Sequence, residues 1–218
     1  MCETACAHMI HGMRNIDMMG KTHVAAGIAA SLAIMQPSTI GGCFTAVLGG
    51  AFGGMICDVE CRSAPRRRDA LVTRLIVLII FGAIYFADTR MNAGITAALL
   101  SEDRAHIVAG AAILIITAMI GRATAHRTFT HSLLYMLLIT VGSGLIYPPI
   151  SCAVLAGMAS HIALDLLNKR PMQLLYPFKW GACLRLCYAD GVVNSLILSA
   201  AIAADAIMLA YIIRAMRF

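Results

Sequence analysis

Long apolar stretches alternate with short polar breaks along most of this chain. They run from His23 to Met35, Ile40 to Cys57, Leu71 to Ala87, Ala105 to Gly121, Ser132 to Tyr147, Ile150 to Leu167 and Val192 to Ile213. About 20 consecutive apolar residues cross a bilayer core as a helix. The pattern therefore predicts an all-α protein, a polytopic transmembrane helical bundle with about six to seven membrane segments. The first stretch is short for a full crossing, so it either begins earlier, near Met18, or forms a helical hairpin with the second that dips into the membrane. Gly49/Gly53 and Gly50/Gly54 give the second stretch two overlapping small-residue pairs that permit close helix packing. The mixed connection from Asp88 to Arg104 has room for a short surface helix over Ala93 to Leu100. No internal repeat and no low-complexity tract is evident.

Composition fits this pattern. Sixty per cent of residues are hydrophobic and 13% charged, and the mean hydropathy is +0.82, which excludes an ordinary soluble domain. The net charge of +6 raises the question of nucleic acid. No basic face interleaved with aromatics is present, so no nucleic acid is expected. Anionic lipid head groups and topology signals account better for the basic residues. Cys2/Cys6, Cys57/Cys61 and Cys183/Cys187 are each four apart, looser than usual zinc spacing, and read as free thiols in a reducing compartment. Residues 1–18 lack the continuous apolar core of a cleavable signal. They read as an extension, disordered or upstream of a true start at Met18 or Met19, before a single helical domain over residues 19–218.

Counting crossings gives the polar residues a side. If His23 lies on one face, the chain reaches Gln36 on the other, returns at Asp58, leaves near Leu71, reaches Asp88 and comes back by Gly121. The segment from His126 to His131 then shares the face of His23 and Asp58. The next hairpin turns at Pro148-Pro149 and returns His161 and Asp165 to that same face. A re-entrant first hairpin gives the same result. This face also carries most of the basic residues, among them Lys21, Arg62, Arg66, Arg67, Arg68, Arg122, Arg127, Lys169, Arg170, Lys179 and Arg185. The opposite face has only Arg90, Arg104, Arg214 and Arg217. The positive-inside bias makes the histidine-bearing face cytoplasmic.

Ionisable groups at or near hydrocarbon depth are costly and call for a reason. His161 and Asp165 are four apart, so a helix puts them on one face, one turn apart. Imidazole and carboxylate at that spacing chelate a divalent ion, or the acid orients a ligating histidine. The same pair would also serve as a buried ion pair between helices. His126 and His131 point about 140° apart on a regular helix. They converge only if His126 lies in the turn before the helix, with Thr128 or Thr130 as cap. Arg127 between them either pairs with a substrate phosphate or simply marks the interface. Asp58 and Glu60 follow an apolar helix, where the macrodipole disfavours carboxylates; a metal, the nearby arginines or solvent would offset that. His106 falls on the opposite face. Asp205, midway along the last stretch, is a buried interhelical contact or part of an ion path. Three histidine-bearing segments and one acidic segment meeting on one face suit zinc or a similar divalent ion.

Four segments carry a family resemblance. They are Thr22-His23-Val24-Ala25-Ala26-Gly27, Gly54-Met55-Ile56-Cys57-Asp58-Val59-Glu60, His126-Arg127-Thr128-Phe129-Thr130-His131-Ser132 and Ser160-His161-Ile162-Ala163-Leu164-Asp165. Together they resemble the motifs of the YdjM-like membrane-bound metal-dependent hydrolases, and Gln173 to Phe178 is similar to a segment that follows them there. The second motif departs from the usual Pro-Asp-x-Asp of that family: Cys57 replaces Pro, and Glu60, one methylene longer, replaces the second Asp. The resemblance implies a helical inner-membrane hydrolase, distantly akin to the all-helical zinc phospholipase C and P1 nuclease class.

The reading that follows assigns His23, Asp58, His126, His131, His161 and Asp165 to one or two divalent ions, with zinc expected. Glu60 is the expected general base, Arg127 the expected phosphate partner, and a phosphoester or lipid-related molecule the expected substrate. Two other classes compete. A transporter or metal-ion carrier would place its site near the bilayer midplane, where Asp205 lies. A non-catalytic scaffold would use the metal only for folding.

Overall fold

A computed structural model describes residues 20–58, 103–186 and 192–216, with isolated positions from 71 to 97. Among the described residues all regular elements are helical, apart from isolated bridge residues such as the Met172–Ala182 pair. The α-helices are α1 (Gly20–Met35), α2 (Ile40–Ile56), α3 (Arg104–Ala123), α4 (Leu133–Ile146), α5 (Ser151–Leu166) and α6 (Val192–Ala215). The protein is an all-α bundle. Each helix begins within three residues of an apolar stretch read from the sequence. The stretch from Leu71 to Ala87 and the short helix from Ala93 to Leu100 lie largely outside the described residues.

Local chemistry sets the helix ends. Pro37 follows α1, and the Thr39 side chain then caps α2 by accepting from the Gly42 N–H at 3.1 Å. Asp103 caps α3 through the Ala105 N–H at 3.0 Å. Ser132, rather than Thr128 or Thr130, caps α4 by accepting from the Tyr135 N–H at 3.2 Å. The Pro148-Pro149 pair turns the chain in a short 3-10 helix, Pro148–Ile150, which leads into α5.

Helices α1, α2 and α5 pack against one another, α3 packs on α4, α4 also touches α5, and α6 lies along α1. The α1–α2–α5 seam is backbone against backbone. A Cβ on Gly50 would come within 2.5 Å of the Gly27 carbonyl oxygen, and one on Gly53 within 2.4 Å of the Val154 carbonyl oxygen. One glycine pair therefore faces α1 and the other faces α5, which is the close packing expected of the small-residue pattern. Two apolar clusters flank the seam. Cys57, Phe129, Tyr135, Ile139, Val154 and Met158 pack near one end, and Leu32, Cys43, Ala46 and Ile212 near the other. Three helical segments, Arg104–Ala123, Pro148–Leu166 and Val192–Ala215, are long and apolar enough to cross a membrane, and Ile40–Ile56 and Leu133–Ile146 are shorter apolar helices.

Candidate metal centre

Four helix ends meet beside the first apolar cluster. His23 lies in the first turn of α1, Asp58 just past the end of α2, His131 just before α4, and His161 with Asp165 in the last two turns of α5. The fold brings them together because α1, α2 and α5 pack against one another and α4 packs on α5. His23, His131 and His161 are fully or almost fully buried, Asp165 nearly so, and Asp58 sits at the partly open edge.

Their donor atoms converge in two sets. His23, His161 and Asp165 form one, and Asp58, His131 and His161 the other, each with ligand atoms within 4.8 Å of one another. His161 belongs to both. Its Nδ1 lies 2.8 Å from the Gly54 carbonyl oxygen. A carbonyl only accepts, so Nδ1 carries the proton and Nε2 presents its lone pair inward. His131 Nε2 lies 3.4 Å from His161 Nε2 and 3.2 Å from Asp165 Oδ2. A tetrahedral ion with ligand bonds of about 2.1 Å holds its ligands about 3.4 Å apart. Asp58 Oδ1 stands a little further off, 3.8 Å from His131 Nε2 and 3.9 Å from His161 Nε2. The His23 ring stacks on His161 with centroids 3.8 Å apart, and its Nδ1 is buried without a hydrogen-bond partner. His23 Nε2, 3.7 Å from Asp165 Oδ1, is the ring nitrogen that faces the carboxylate. Three imidazoles and carboxylate oxygens whose donor atoms converge in a buried site are a set that suits a divalent cation.

A second layer orients these groups. Asn168 Nδ2 donates to Asp165 Oδ1 at 3.1 Å, and Arg127 reaches the same oxygen at 3.1 Å. With Oδ1 held, Oδ2 faces His131. Arg127 also donates to the Arg170 carbonyl at 2.7 Å, and its own carbonyl accepts from the Gln173 N–H. These contacts surround a left-handed backbone at Arg127, φ 64°. Tyr135 donates to the Ile56 carbonyl at 3.1 Å, fixing the end of α2 two residues before Asp58. Thr22, next to His23, donates to Asn194 of α6 at 2.8 Å.

Two residues take places other than those expected. Arg127 is buried and turned towards Asp165, so it braces a carboxylate where the sequence suggested a substrate phosphate. His126 sets its ring edge-on against His131, centroids 5.2 Å apart, and joins neither converging donor set. Glu60 lies outside the described residues. Asp205 sits in α6, eleven residues beyond Asn194, about 16 Å along the helix. Asn168, Asn194 and Tyr135 went unread in the sequence; for Asn168, its place three residues after Asp165 was the available signal.

The class of protein is an all-helical membrane protein with a buried His/Asp cluster able to hold a metal ion. The chain belongs to the YdjM inner membrane protein family, whose model matches residues 18–217. It is also similar to the protein YvsG of Bacillus subtilis (strain 168), 38% identical over 65 residues. That match covers 29% of this chain and 41% of YvsG, so the chain spans about two fifths of that relative. No solved structure matches it.

Proposed function

We propose that this protein is a metal-dependent hydrolase whose site faces the cytoplasm and acts on a phosphoester or lipid-related substrate. One observation carries the reading: two donor triads share His161, whose Nδ1 is committed to Gly54 and whose Nε2 is free to ligate. His23, His131, His161, Asp165 and Asp58 are the ligands, and zinc suits their nitrogen and oxygen donors. Such an ion, when bound, lowers the pKa of a coordinated water and polarises an electrophile. The residues of the chain supply the rest. Gly54 fixes the His161 tautomer, Arg127 and Asn168 orient Asp165, and the α1–α2–α5 seam excludes water from behind the site. Asp58, at the partly open edge, is the ligand nearest to incoming substrate. His126 shields the edge of His131. Glu60, two residues beyond Asp58, is the proposed general base. The family resemblance and the basic residues near these helix ends support a hydrolase working on an anionic substrate at the cytoplasmic leaflet.

Elemental analysis of the purified protein tests the reading, with and without His131→Ala and His161→Ala together. Stoichiometric zinc in the native chain, lost in the double variant along with phosphoester hydrolysis, is the expected result. A metal-free native protein, or a double variant with unchanged hydrolysis, sinks it. Metal loss that unfolds the bundle, in a protein with no hydrolytic activity, favours the scaffold instead. Labelling an introduced cysteine near Arg67 from each side tests orientation, and reaction from the outside alone overturns a cytoplasmic site.

A further inference from the structure

The segment from Lys169 to Leu186 follows α5 and runs past the candidate centre without regular structure, yet it is firmly fastened. Met172 and Ala182 exchange both backbone hydrogen bonds, and Met172 is fully buried beneath them. The Leu184 and Leu186 N–H groups donate to the carbonyls of Leu166 and Leu167 at the end of α5. Leu133, the first residue of α4, donates to the Leu174 carbonyl, and Gln173 donates to Arg127. The loop is thus bolted to the ends of two apolar helices, the level at which a bilayer's head groups begin.

Its outward residues are unlike those of a solvated loop. Phe178 is 72% exposed, Trp180 68% and Leu186 70%, with Leu175 and Leu184 also exposed. Lys179 and Arg185 stand between them, Lys169 and Arg170 precede them, and no acidic residue lies anywhere from 169 to 186. Aromatic and aliphatic side chains alternating with basic ones suit neither water nor hydrocarbon. They suit the boundary, where rings sit at head-group depth and lysine or arginine meets lipid phosphate. The loop is also close to the chemistry, because the Arg170 carbonyl is joined through the Arg127 guanidinium to Asp165.

We propose that the 169–186 loop is a docking surface for anionic phospholipid, seated in the head-group layer beside the His/Asp cluster. Phe178, Trp180 and Leu186 enter the boundary, and Lys179 and Arg185 select the negative head group. Docking does not depend on the hydrolase reading; its use to deliver a lipid phosphoester to the cluster does.

Trp180 is the one tryptophan of the chain, so its fluorescence reports the loop directly. The whole protein would be placed in lipid nanodiscs containing phosphatidylglycerol or phosphatidylcholine brominated at a shallow acyl position. Trp180 is expected to be quenched by both lipids. Half-maximal quenching should need about thirtyfold less of the brominated phosphatidylglycerol, the preference that two basic residues at an anionic surface support. Lys179→Ala with Arg185→Ala should abolish that preference while leaving quenching by phosphatidylcholine intact. His161→Ala, which tests the metal site, should leave the Trp180 signal unchanged. Failure of brominated lipid to quench Trp180, whether water or a soluble protein covers the loop, overturns the proposal. So does equal quenching by the two head groups in the native chain.

Discussion

The Pro148–Leu166 segment, which contains α5, and the α6 helix are both long and apolar enough to cross a membrane, but they differ in what surrounds them. In the first, 44% of the span is buried inside the protein at a mean hydropathy of 1.4; in the second, 11% is buried at a hydropathy of 2.3. Helix α5 lies among α1, α2 and α4 and carries His161 and Asp165. Helix α6 lies along α1 and shows Leu196, Ile202, Ile207, Tyr211 and Ile213 on its exposed surface. A helix surrounded by protein can place small and ionisable residues where neighbours satisfy them, at some loss of hydropathy. A helix facing lipid can do so only where it turns towards protein, as α6 does with buried Asn194 and half-buried Asp205, because lipid pairs no polar group. The chemistry therefore sits on the helices that look least like membrane spans.

The largest expected contrast between the two regions comes from added volume. Gly50→Leu in α2 drives a side chain into the Gly27 carbonyl and the Ser31 hydroxyl, and should destabilise the bundle by about 3 kcal/mol or more. Ala210→Leu on the exposed side of α6 should change stability by less than about 0.5 kcal/mol. Thermal melts in detergent, followed by size-exclusion recovery, compare the two, and equal melting points would erase the distinction.

Smaller changes probe the second layer. Arg127→Lys replaces a planar fork that spans Asp165 and the Arg170 carbonyl with a point charge. Metal affinity should fall about 10- to 100-fold with the fold retained; competition with a chelator measures it, and unchanged affinity would reduce Arg127 to an interfacial charge. Asn168→Ala removes one of two supports on Asp165 Oδ1 and should weaken metal by about tenfold. The smallest effect belongs to Asp205→Asn in α6, which should leave metal content at the native level. Metal uptake into proteoliposomes that depends on Asp205 would instead point to transport.

Much of this organisation was legible in the sequence because hydropathy and spacing are local. The apolar stretches place α1 to α6 within a few residues of their observed ends. Counting crossings puts His23, Asp58, His131, His161 and Asp165 on one face without any knowledge of packing. What escaped depends on contacts between segments distant along the chain. The direction of Arg127 is set by Asp165 and by the loop after α5, 38 or more residues further on. The cap of α4 falls on Ser132 because residues 129–131 form a 3-10 turn with its own hydrogen bonds, a choice that three nearby hydroxyls leave open. His126 and His131 could be placed near each other, but not told apart as shield and donor.

The position of His161 in both triads bears on stoichiometry. An imidazole whose Nδ1–H is spent on the Gly54 carbonyl has a single lone pair left to give. The two triads, as they stand, cannot be filled at the same time: an ion bound in one leaves the other with two ligands. A zinc titration of the native chain should therefore saturate at one tight equivalent, and any further equivalent should bind more weakly and leave first under chelation.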